Sequence, residues 1–182
     1  AGTPFPGSGI MIMKEDGTEA KTGEVGEVVY PMSSLTFEGY ANDAEATSAA
    51  IKDGYFHTGD LGYFDEERYF FFVDRKKDIV RRGGENISSM EIEAVMRQHP
   101  HVAEAAIVAK PDPVLGERVT AFVVPAEGLA EGPDTESIRA FVAERLAHFK
   151  VPEEVHVVAE FDRTPTGKIE KFRLRQKLTE MG

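Results

Sequence analysis

Short apolar stretches separated by turn residues make up the first seventy residues of the chain. Residues 10–13 lead into Asp16-Gly17, a dipeptide typical of a tight hairpin turn in which both central residues have a positive φ. Further apolar stretches at 25–30 and 61–64 predict strands. The run at 69–73, four aromatic residues followed by a valine, predicts a buried strand that pairs with 61–64.

The pattern changes at residues 74–78, a dense run of charged residues without a hydrophobic anchor. Such a run is typical of a linker between packed units, so we expect a boundary near Lys76–Lys77. Before this boundary, a short helix is predicted from Asp43 to Ile51, with Asn42 or Asp43 as its cap.

The second part of the chain alternates between helical and strand patterns. Ser88 and Glu91 form a capping box that opens a helix, and Pro100 stops it. Another helix begins after Asp134 or Thr135. The remaining predicted elements are strands at 102–109, 119–124 and 155–158, a loop at 128–133 and a closing helix at 171–178. The predicted fold class is α+β, with a small three-stranded sheet in this second unit.

The composition excludes several classes of protein. The 182 residues include 41% hydrophobic and 29% charged residues, which is typical of a globular chain. There is no cysteine, which excludes disulfides and thiolate nucleophiles. The net charge of −11, from 21 basic and 32 acidic residues, argues against nucleic-acid binding. No stretch approaches the ~18 uninterrupted apolar residues of a membrane-spanning helix.

The N-terminus shows neither the basic and apolar regions of a signal peptide nor an initiator methionine. We therefore expect a cytoplasmic piece of a longer protein. The five histidines lack any metal-ligand spacing, so no metal site is predicted. No nucleophile elbow and no complete phosphate-binding P-loop are present.

Three short segments could carry chemistry. Asp60, between Gly59 and Gly62 at a predicted turn before a strand, could accept hydrogen bonds from two ribose hydroxyls or be a turn residue. The glycine pair Gly83-Gly84 could let the backbone approach a ligand closely or form a hairpin turn. Lys168, after a glycine, could reach an anion in a cleft or lie on a surface loop.

A cluster of basic residues near the end of the chain is also open to two interpretations. It is either a solvated helix face or a local anion site. Glu170 is the one acidic residue within its span, and its members are Arg163, Lys168, Lys171, Arg173, Arg175 and Lys177.

Taken in order, the motifs of the chain resemble those of the C-terminal portion of the AMP-forming acyl ligase superfamily. This superfamily includes acyl-CoA synthetases, aryl-CoA ligases, firefly luciferase and peptide-synthetase adenylation domains, and the resemblance covers essentially all 182 residues. The motifs lie at 23–27 (GEVGE), 39–40 (GY), 45–47 (EAT), 54–62 (GYFHTGDLG), 73–78 (VDRKKD), 83–87 (GGENI), 91–93 (EIE), 111–113 (PDP) and 166–169 (TGKI).

The resemblance implies an architecture of two parts. Residues 1–76 would be the β-rich end of the large nucleotide-binding domain, and residues 77–182 the mobile C-terminal cap domain. The phosphate loop and the acyl pocket of the large domain are missing and are expected before residue 1. Two turns depart from the family pattern, since Glu67-Arg68 stands where Asp-Gly is common and Ala44 replaces a proline.

The resemblance also implies a two-step reaction. A carboxylate attacks the α-phosphate of ATP, with Mg²⁺ neutralising the phosphates, and the thiol of CoA then displaces AMP. Asp60 would hold the ribose hydroxyls and Arg75 the ribose or nearby phosphate oxygens. Lys77 would be the hinge, and Lys168 would be the catalytic lysine of adenylation. Gly83 and Gly84 would line the CoA pantetheine tunnel. The magnesium ligands are expected outside this chain.

We therefore predict the C-terminal fragment of an AMP-forming acyl-CoA synthetase connected with fatty acid metabolism, inactive by itself. Its partners would be a carboxylic acid, ATP and CoA, and the oligomeric state stays open. One alternative is an adenylating enzyme that loads a carrier-protein thiol. The other is a noncatalytic cap or interaction module. The acyl substrate is unreadable here because its pocket is expected upstream.

Overall fold

The computed structural model describes residues 2–33, 38–128 and 133–181, and the chain divides into two compact units, residues 1–77 and 78–182. The division lies one residue beyond the boundary expected from the charge run. The elements of the first unit are β1 (Met11–Met13), β2 (Gly26–Pro31), α1 (Ala44–Ala50), β3 (Ile51–Lys52), β4 (Tyr55–Phe64) and β5 (Phe70–Arg75).

Strand β4 organises the first unit. It pairs antiparallel with β2, β3 and β5, while β1 extends the sheet beyond β2. The predicted strand at 61–64 is only the end of β4, which begins at Tyr55. Asp60 therefore lies within a strand, and the prediction that it occupies a turn is wrong. Gly62 is required by close packing, since a Cβ there would lie 2.3 Å from the Phe70 ring.

The aromatic strand β5 is less buried than its composition predicts. Tyr69, Phe71 and Phe72 are 46%, 42% and 40% exposed in this chain, so the prediction of a buried strand is wrong here. The buried core of this unit is a small cluster around Ile12 and Val28 instead, with Phe64. Of β5, Phe70 packs against this cluster.

The two hairpin turns predicted in the first unit, at 16–17 and 65–68, are held by aspartates. Gly17 has a positive φ but Asp16 does not, so the expected pair of positive φ angles is not formed. Asp16 Oδ1 instead accepts a hydrogen bond from the backbone N of Thr18 at 2.9 Å. In the second turn Arg68 has a φ of +65°, which explains why glycine is common in the family there.

The second unit contains a sheet between helices. Its elements are β6 (Val80–Arg82), β7 (Glu85–Ile87), α2 (Ser89–Met96), β8 (Val102–Asp112), β9 (Gly116–Pro125), α3 (Thr135–Ala143), a 3-10 turn (His148–Lys150), β10 (Glu154–Val157) and α4 (Lys171–Met181). Residues 129–132 of the predicted loop at 128–133 lie outside the described residues. No helix in the described part of the chain is long and apolar enough to cross a bilayer.

Strand β9 is the centre of the second sheet. It pairs antiparallel with β8 along nearly its whole length and parallel with β10. These are the three predicted strands. The β6–β7 hairpin extends the sheet to five strands, because Arg82 pairs with Gly116 at the start of β9. The glycine pair between β6 and β7 contains the signal for this hairpin.

Both faces of the second sheet are buried, which explains the nearly continuous apolar runs of its strands. On β8, Ala105 and Ile107 face one cluster and Ala106 and Val108 face the other. Helices α2 and α3 cover the first face through four buried side chains, Ile92, Met96, Ile138 and Val142. Helix α4 covers the second face through Leu174 and Leu178. Each such side chain contributes about 1.5–3 kcal/mol on burial.

Helix starts in this unit follow the predicted capping signals. The Ser88 side chain accepts a hydrogen bond from the backbone N of Glu91, at 3.4 Å. The Glu91 carboxylate pairs with Lys150 at 2.6 Å. For α3 the cap is Asp134, which accepts hydrogen bonds from the backbone N atoms of the first turn.

A buried carboxylate joins three elements of the second unit. Glu93 on α2 accepts a hydrogen bond from the backbone N of Ile107 on β8 at 2.8 Å. Its Oε1 also lies 2.7 Å from the Nζ of Lys171, the first residue of α4. Lys171 donates a further hydrogen bond to Ser89 Oγ at 2.7 Å. This ion pair therefore fixes the start of α4 against α2.

A buried histidine joins the end of α2 to the start of α3. The Nδ1 atom of His99 accepts a hydrogen bond from the backbone N of His101 at 3.1 Å. Its Nε2 therefore carries the proton and donates to Ser137 Oγ at 3.0 Å. Burial lowers the pKa of His99 from its ordinary value of 6.5. The nearby charges of His101 and Arg145 lower this pKa further, whereas the charge of Asp134 raises it.

Because the folded chain holds His99 neutral, the contribution of this residue to stability should be fully present above pH 6.5 and be lost as acid protonates the unfolded chain first. We expect His99→Gln, which retains a donor and an acceptor, to show a shallower loss of unfolding free energy between pH 7.5 and 5. Urea unfolding at both pH values checks this expectation. Equal slopes for the two chains would contradict it.

Candidate functional site

The register of β4 and β5 brings Asp60 and Arg75 together. The two residues are direct cross-strand partners, and Arg75 Nε lies 3.3 Å from Asp60 Oδ1. This ion-pair distance does not come with hydrogen-bond alignment. Asp60 Oδ1 is buried and, within the described residues, has no hydrogen-bond donor. A buried carboxylate oxygen without a donor is suited to accept a hydrogen bond from a ligand.

A bulge in β4 sets the direction of the Asp60 side chain. Glu27 pairs with Leu61 but Val29 pairs with His57, so β4 has extra residues opposite β2 at this point. Bulges re-aim side chains and leave backbone groups without ladder partners. Here the Thr58 hydroxyl donates to the Val28 carbonyl at 2.8 Å and accepts from the backbone N of Asp60 at 3.0 Å.

The Glu27 side chain satisfies the rest of the bulge. Its Oε1 accepts a hydrogen bond from the backbone N of Gly59 at 3.0 Å. Its Oε2 contacts His57 Nδ1 at 3.1 Å and Lys76 Nζ at 2.9 Å. Burial opposes ionisation of Glu27, but the hydrogen bonds from Lys76, His57 and Gly59 outweigh it and lower the pKa below its ordinary value. Glu27 is therefore an ionised acceptor for three donors.

The hinge candidate Lys77 lies between two anchored residues. The backbone N of Lys76 donates to the Gly59 carbonyl at 2.8 Å, and its side chain pairs with Glu27, both in the first unit. Asp78 belongs to the second unit and pairs there with Arg175 of α4. The division between the units follows Lys77 directly.

The glycine pair forms the tip of the β6–β7 hairpin. Gly83 and Gly84 have φ angles of +58° and +91°, the left-handed conformation that a two-residue hairpin turn requires. The backbone N of Gly83 donates to the Leu115 carbonyl at 2.8 Å. A Cβ on Gly84 would meet no described atom within 4 Å. The hairpin-turn interpretation is therefore correct, and it leaves one face of the tip open.

Lys168 lies on an exposed, tightly bonded turn before α4. The backbone N of Thr164 donates to the Lys168 carbonyl at 2.8 Å, and Gly167 takes a φ of +84°. Arg163 donates to the Gly167 carbonyl at 2.9 Å and pairs with Glu104 on β8. The Lys168 ammonium has no ion pair among the residues that the structure describes. The turn is fixed at its base, and the cation at its tip is available.

The basic cluster is largely neutralised inside the second unit. Arg163 pairs with Glu104, Lys171 with Glu93, Arg173 with Glu170, and Arg175 with Asp78. These carboxylates lie mostly far away in the sequence, so their partnership was not readable from the local composition. For these four residues the pairing argues against the alternative of a local anion site.

The site candidates therefore fall into two groups. The first unit holds Asp60 with Arg75, and the second holds the Gly83-Gly84 tip and Lys168. Sequence reasoning gave no role to Glu27, although it lies in the motif at 23–27 and is an acid on an apolar strand. No cluster of three or more acidic or histidine side chains that could hold a metal ion occurs in residues 2–33, 38–128 and 133–181.

Comparison with known proteins provides the family. Residues 91–168 match the family described as AMP-binding enzyme C-terminal domain. A long-chain-fatty-acid–CoA ligase of Bacillus subtilis is 39% identical over 180 residues, which are 98% of this chain and 32% of that protein. This chain belongs to the AMP-forming acyl ligase superfamily. It corresponds to the C-terminal portion of the superfamily's proteins.

Other members are equally similar. A fatty acid–acyl-carrier-protein ligase, ScoC of Streptomyces coeruleorubidus, is 40% identical over 97% of this chain and 34% of that protein. The structure of ATP-bound MatB from Rhodopseudomonas palustris superposes with a TM-score of 0.88 at 33% identity, covering 100% of this chain and 36% of that one. The chain thus spans about a third of the length of these AMP-forming ligases.

Proposed function

We propose that this chain is the C-terminal part of an AMP-forming acyl-CoA synthetase. The first unit would complete the large nucleotide-binding domain, and the second would be its mobile cap. The observation that carries this proposal is the buried Asp60 Oδ1, which lacks a hydrogen-bond donor and lies 3.3 Å from Arg75 Nε. Such a pair fits a ribose, which brings two hydroxyl donors next to negatively charged phosphates.

The first half-reaction forms an acyl-adenylate. A carboxylate oxygen of the acid attacks the α-phosphorus of ATP. The bond between this phosphorus and the oxygen that bridges it to the β-phosphate breaks, and pyrophosphate leaves with that oxygen. Charge builds up on the oxygens around phosphorus, so a cation placed there stabilises the transition state. Lys168, exposed and without an ion pair in the described residues, is the residue we assign to this task. Mg²⁺ would neutralise phosphate charge when bound, and we assign no magnesium ligand to this chain.

The second half-reaction transfers the acyl group. The CoA thiol loses its proton and attacks the acyl carbonyl carbon, and AMP leaves with the oxygen that joined it to the acyl group. The Gly83-Gly84 tip, open on one side, would border the path of the pantetheine chain. One nucleotide site then serves two chemistries in turn, which requires a cap that changes position.

Lys77 is the residue we assign to that movement. Its neighbour Lys76 is held at both backbone and side chain in the first unit, and Asp78 is held by Arg175 in the second. Any rotation between the units must therefore be absorbed by the backbone between these two anchors. Hinges are typically a few such residues at element ends.

The acceptor thiol of the full-length protein has an alternative. The similarity to ScoC, named as an acyl-carrier-protein ligase, keeps a carrier-protein thiol as the alternative acceptor. Acceptance of free CoA by the full-length protein distinguishes the two. The cytoplasmic location stays a prediction, and so does the inactivity of this chain by itself.

Asp60→Ala in the full-length protein should weaken AMP binding at least tenfold. Two charge-assisted hydrogen bonds to the ribose would be lost, each worth roughly 1.5–3 kcal/mol. Calorimetric titration with AMP measures the effect, and Glu66→Ala, an exposed acid in the next turn, is the matched control. Unchanged AMP affinity would show that Asp60 has only a structural role.

Lys168→Ala should slow adenylation by about 10²–10³, the usual cost of removing one transition-state charge donor. Thiolysis of supplied acyl-AMP should be retained, because that step does not place new charge on phosphorus. Pyrophosphate exchange and thioester release report the two steps separately. Lys177→Ala, an exposed lysine on α4, is the control. Equal losses in both steps would reject the step-specific role.

Lys77→Pro should preserve adenylation and lower thioester formation at least tenfold. Proline fixes φ near −65° and restricts Lys76 as well, so one orientation of the cap would be trapped. Lys77→Ala removes the same charge without fixing φ and should leave both steps close to wild type. Parallel losses in Lys77→Pro, measured by the same two assays, would reject the hinge.

A further inference from the structure

We infer that Glu27 is the positioning residue that gives the nucleotide site its preference for a ribose with intact hydroxyls. This inference rests on the proposed role of Asp60 and Arg75 as nucleotide ligands. Glu27 touches neither the ribose nor the phosphates in this scheme. It acts through the two residues that do, because its carboxylate binds the backbone N of Gly59, next to Asp60, and the side chain of Lys76, next to Arg75.

The first arm of Glu27 controls Asp60. Gly59 immediately precedes Asp60 in the bulge of β4, where the ladder with β2 is interrupted. The backbone N of Gly59 has Glu27 Oε1 as its acceptor, at 3.0 Å. Without this hydrogen bond the bulge would lose one of the contacts that determine its shape. The Asp60 carboxylate would then rotate, and its Oδ1 would leave its buried position.

The second arm controls Arg75. Lys76 directly follows Arg75 at the end of β5 and reaches back to Glu27 Oε2 at 2.9 Å. The backbone N of Lys76 donates to the carbonyl of Gly59, the residue held by the first arm. The two arms therefore meet at one carboxylate, and the strand end that carries Arg75 is fixed relative to the bulge that carries Asp60.

Only an ionised carboxylate can serve both arms. Glu27 is 7% exposed, and three donors converge on it from Gly59, His57 and Lys76. A glutamine of the same length offers one acceptor oxygen and an NH₂ group. The NH₂ group would face either the Gly59 amide or the Lys76 ammonium, and two donors cannot bond to each other. The amide oxygen would stay with the Lys76 ammonium, because a charged donor makes the stronger hydrogen bond. Glu27→Gln thus removes the first arm, which controls Asp60, while preserving side-chain volume.

If Glu27 positions Asp60, its loss has an effect that would not follow if Glu27 only stabilised the fold. Asp60 would act on the nucleotide through the ribose hydroxyls, so misplacing it should matter only for nucleotides that have them. We compare AMP with 2′,3′-dideoxyadenosine 5′-monophosphate, which keeps the base and the phosphate but lacks both hydroxyls. The ratio of the two affinities is the readout.

The experiment is calorimetric titration of both nucleotides into the full-length protein and its variants. We expect Glu27→Gln to weaken AMP about tenfold and to change binding of the dideoxy nucleotide less than twofold. Lys76→Met, which removes only the second arm, should reduce the AMP preference by a smaller factor. Glu19→Gln, an exposed acid of the same unit, should leave both affinities unchanged.

The outcomes separate this inference from the function on which it rests. If Asp60→Ala abolishes the AMP preference but Glu27→Gln keeps it, or lowers both affinities equally, Glu27 is only a structural residue. If Asp60→Ala also keeps the preference, the proposed ribose site itself is wrong. Should Glu27→Gln not fold, an unchanged preference in Lys76→Met overturns the inference.

Discussion

The oxygens of a buried carboxylate need hydrogen-bond donors. Each unit of this protein contains a buried carboxylate whose donors come from several elements of that unit. Leaving such a group unpaired costs several kcal/mol, so its partners are held in place. Glu27 binds the Gly59 amide, His57 and Lys76 in the first unit. Glu93 binds the Ile107 amide and Lys171 in the second. In both units one acid joins a strand backbone to a lysine at the start or end of another element.

The location of these acids connects the fold with the proposed chemistry. Glu27 binds the bulge of β4 that carries Asp60. The Glu93–Lys171 pair fixes the start of α4, three residues after Lys168. The candidate ligands themselves are more exposed than the acids that hold them. Function in this family would thus depend on polar residues inside each unit as well as on those that face the nucleotide.

Local signals allowed much of the fold to be predicted from sequence. The Ser88 cap and the apolar runs of β8 and β9 depend on neighbouring residues, and their elements form as expected. The glycine pair was open to two interpretations, and it forms the turn of a hairpin that extends the predicted three-stranded sheet. The family motifs likewise led to the superfamily that the comparisons show. Roles for Asp60, Arg75, Lys77 and Lys168 came from that resemblance and remain predictions.

Sequence reasoning failed where a residue is paired with a distant one. The glycines around Asp60 predict a turn, but Asp60 pairs with Arg75 on β5 and its neighbour Leu61 pairs with Glu27 on β2, so β4 continues through it. The basic cluster was judged against Glu170 alone, although Glu93, Glu104 and Asp78 supply most of its partners. The role of Glu27 depends on contacts up to 49 residues away.

The exposed aromatic strand β5 has a consequence for the behaviour of the chain as an isolated piece. Phe71 and Phe72 point to opposite faces of the strand, and both are exposed. An uncharged aromatic stretch of this kind is prone to stack with copies of itself into intermolecular β-sheet. Exposed charged residues flank this stretch, Glu66 to Arg68 on one side and Arg75 and Lys76 on the other, which is the usual placement of gatekeeper residues against aggregation. Arg75 and Lys76 thus belong both to the candidate site and to this charged flank.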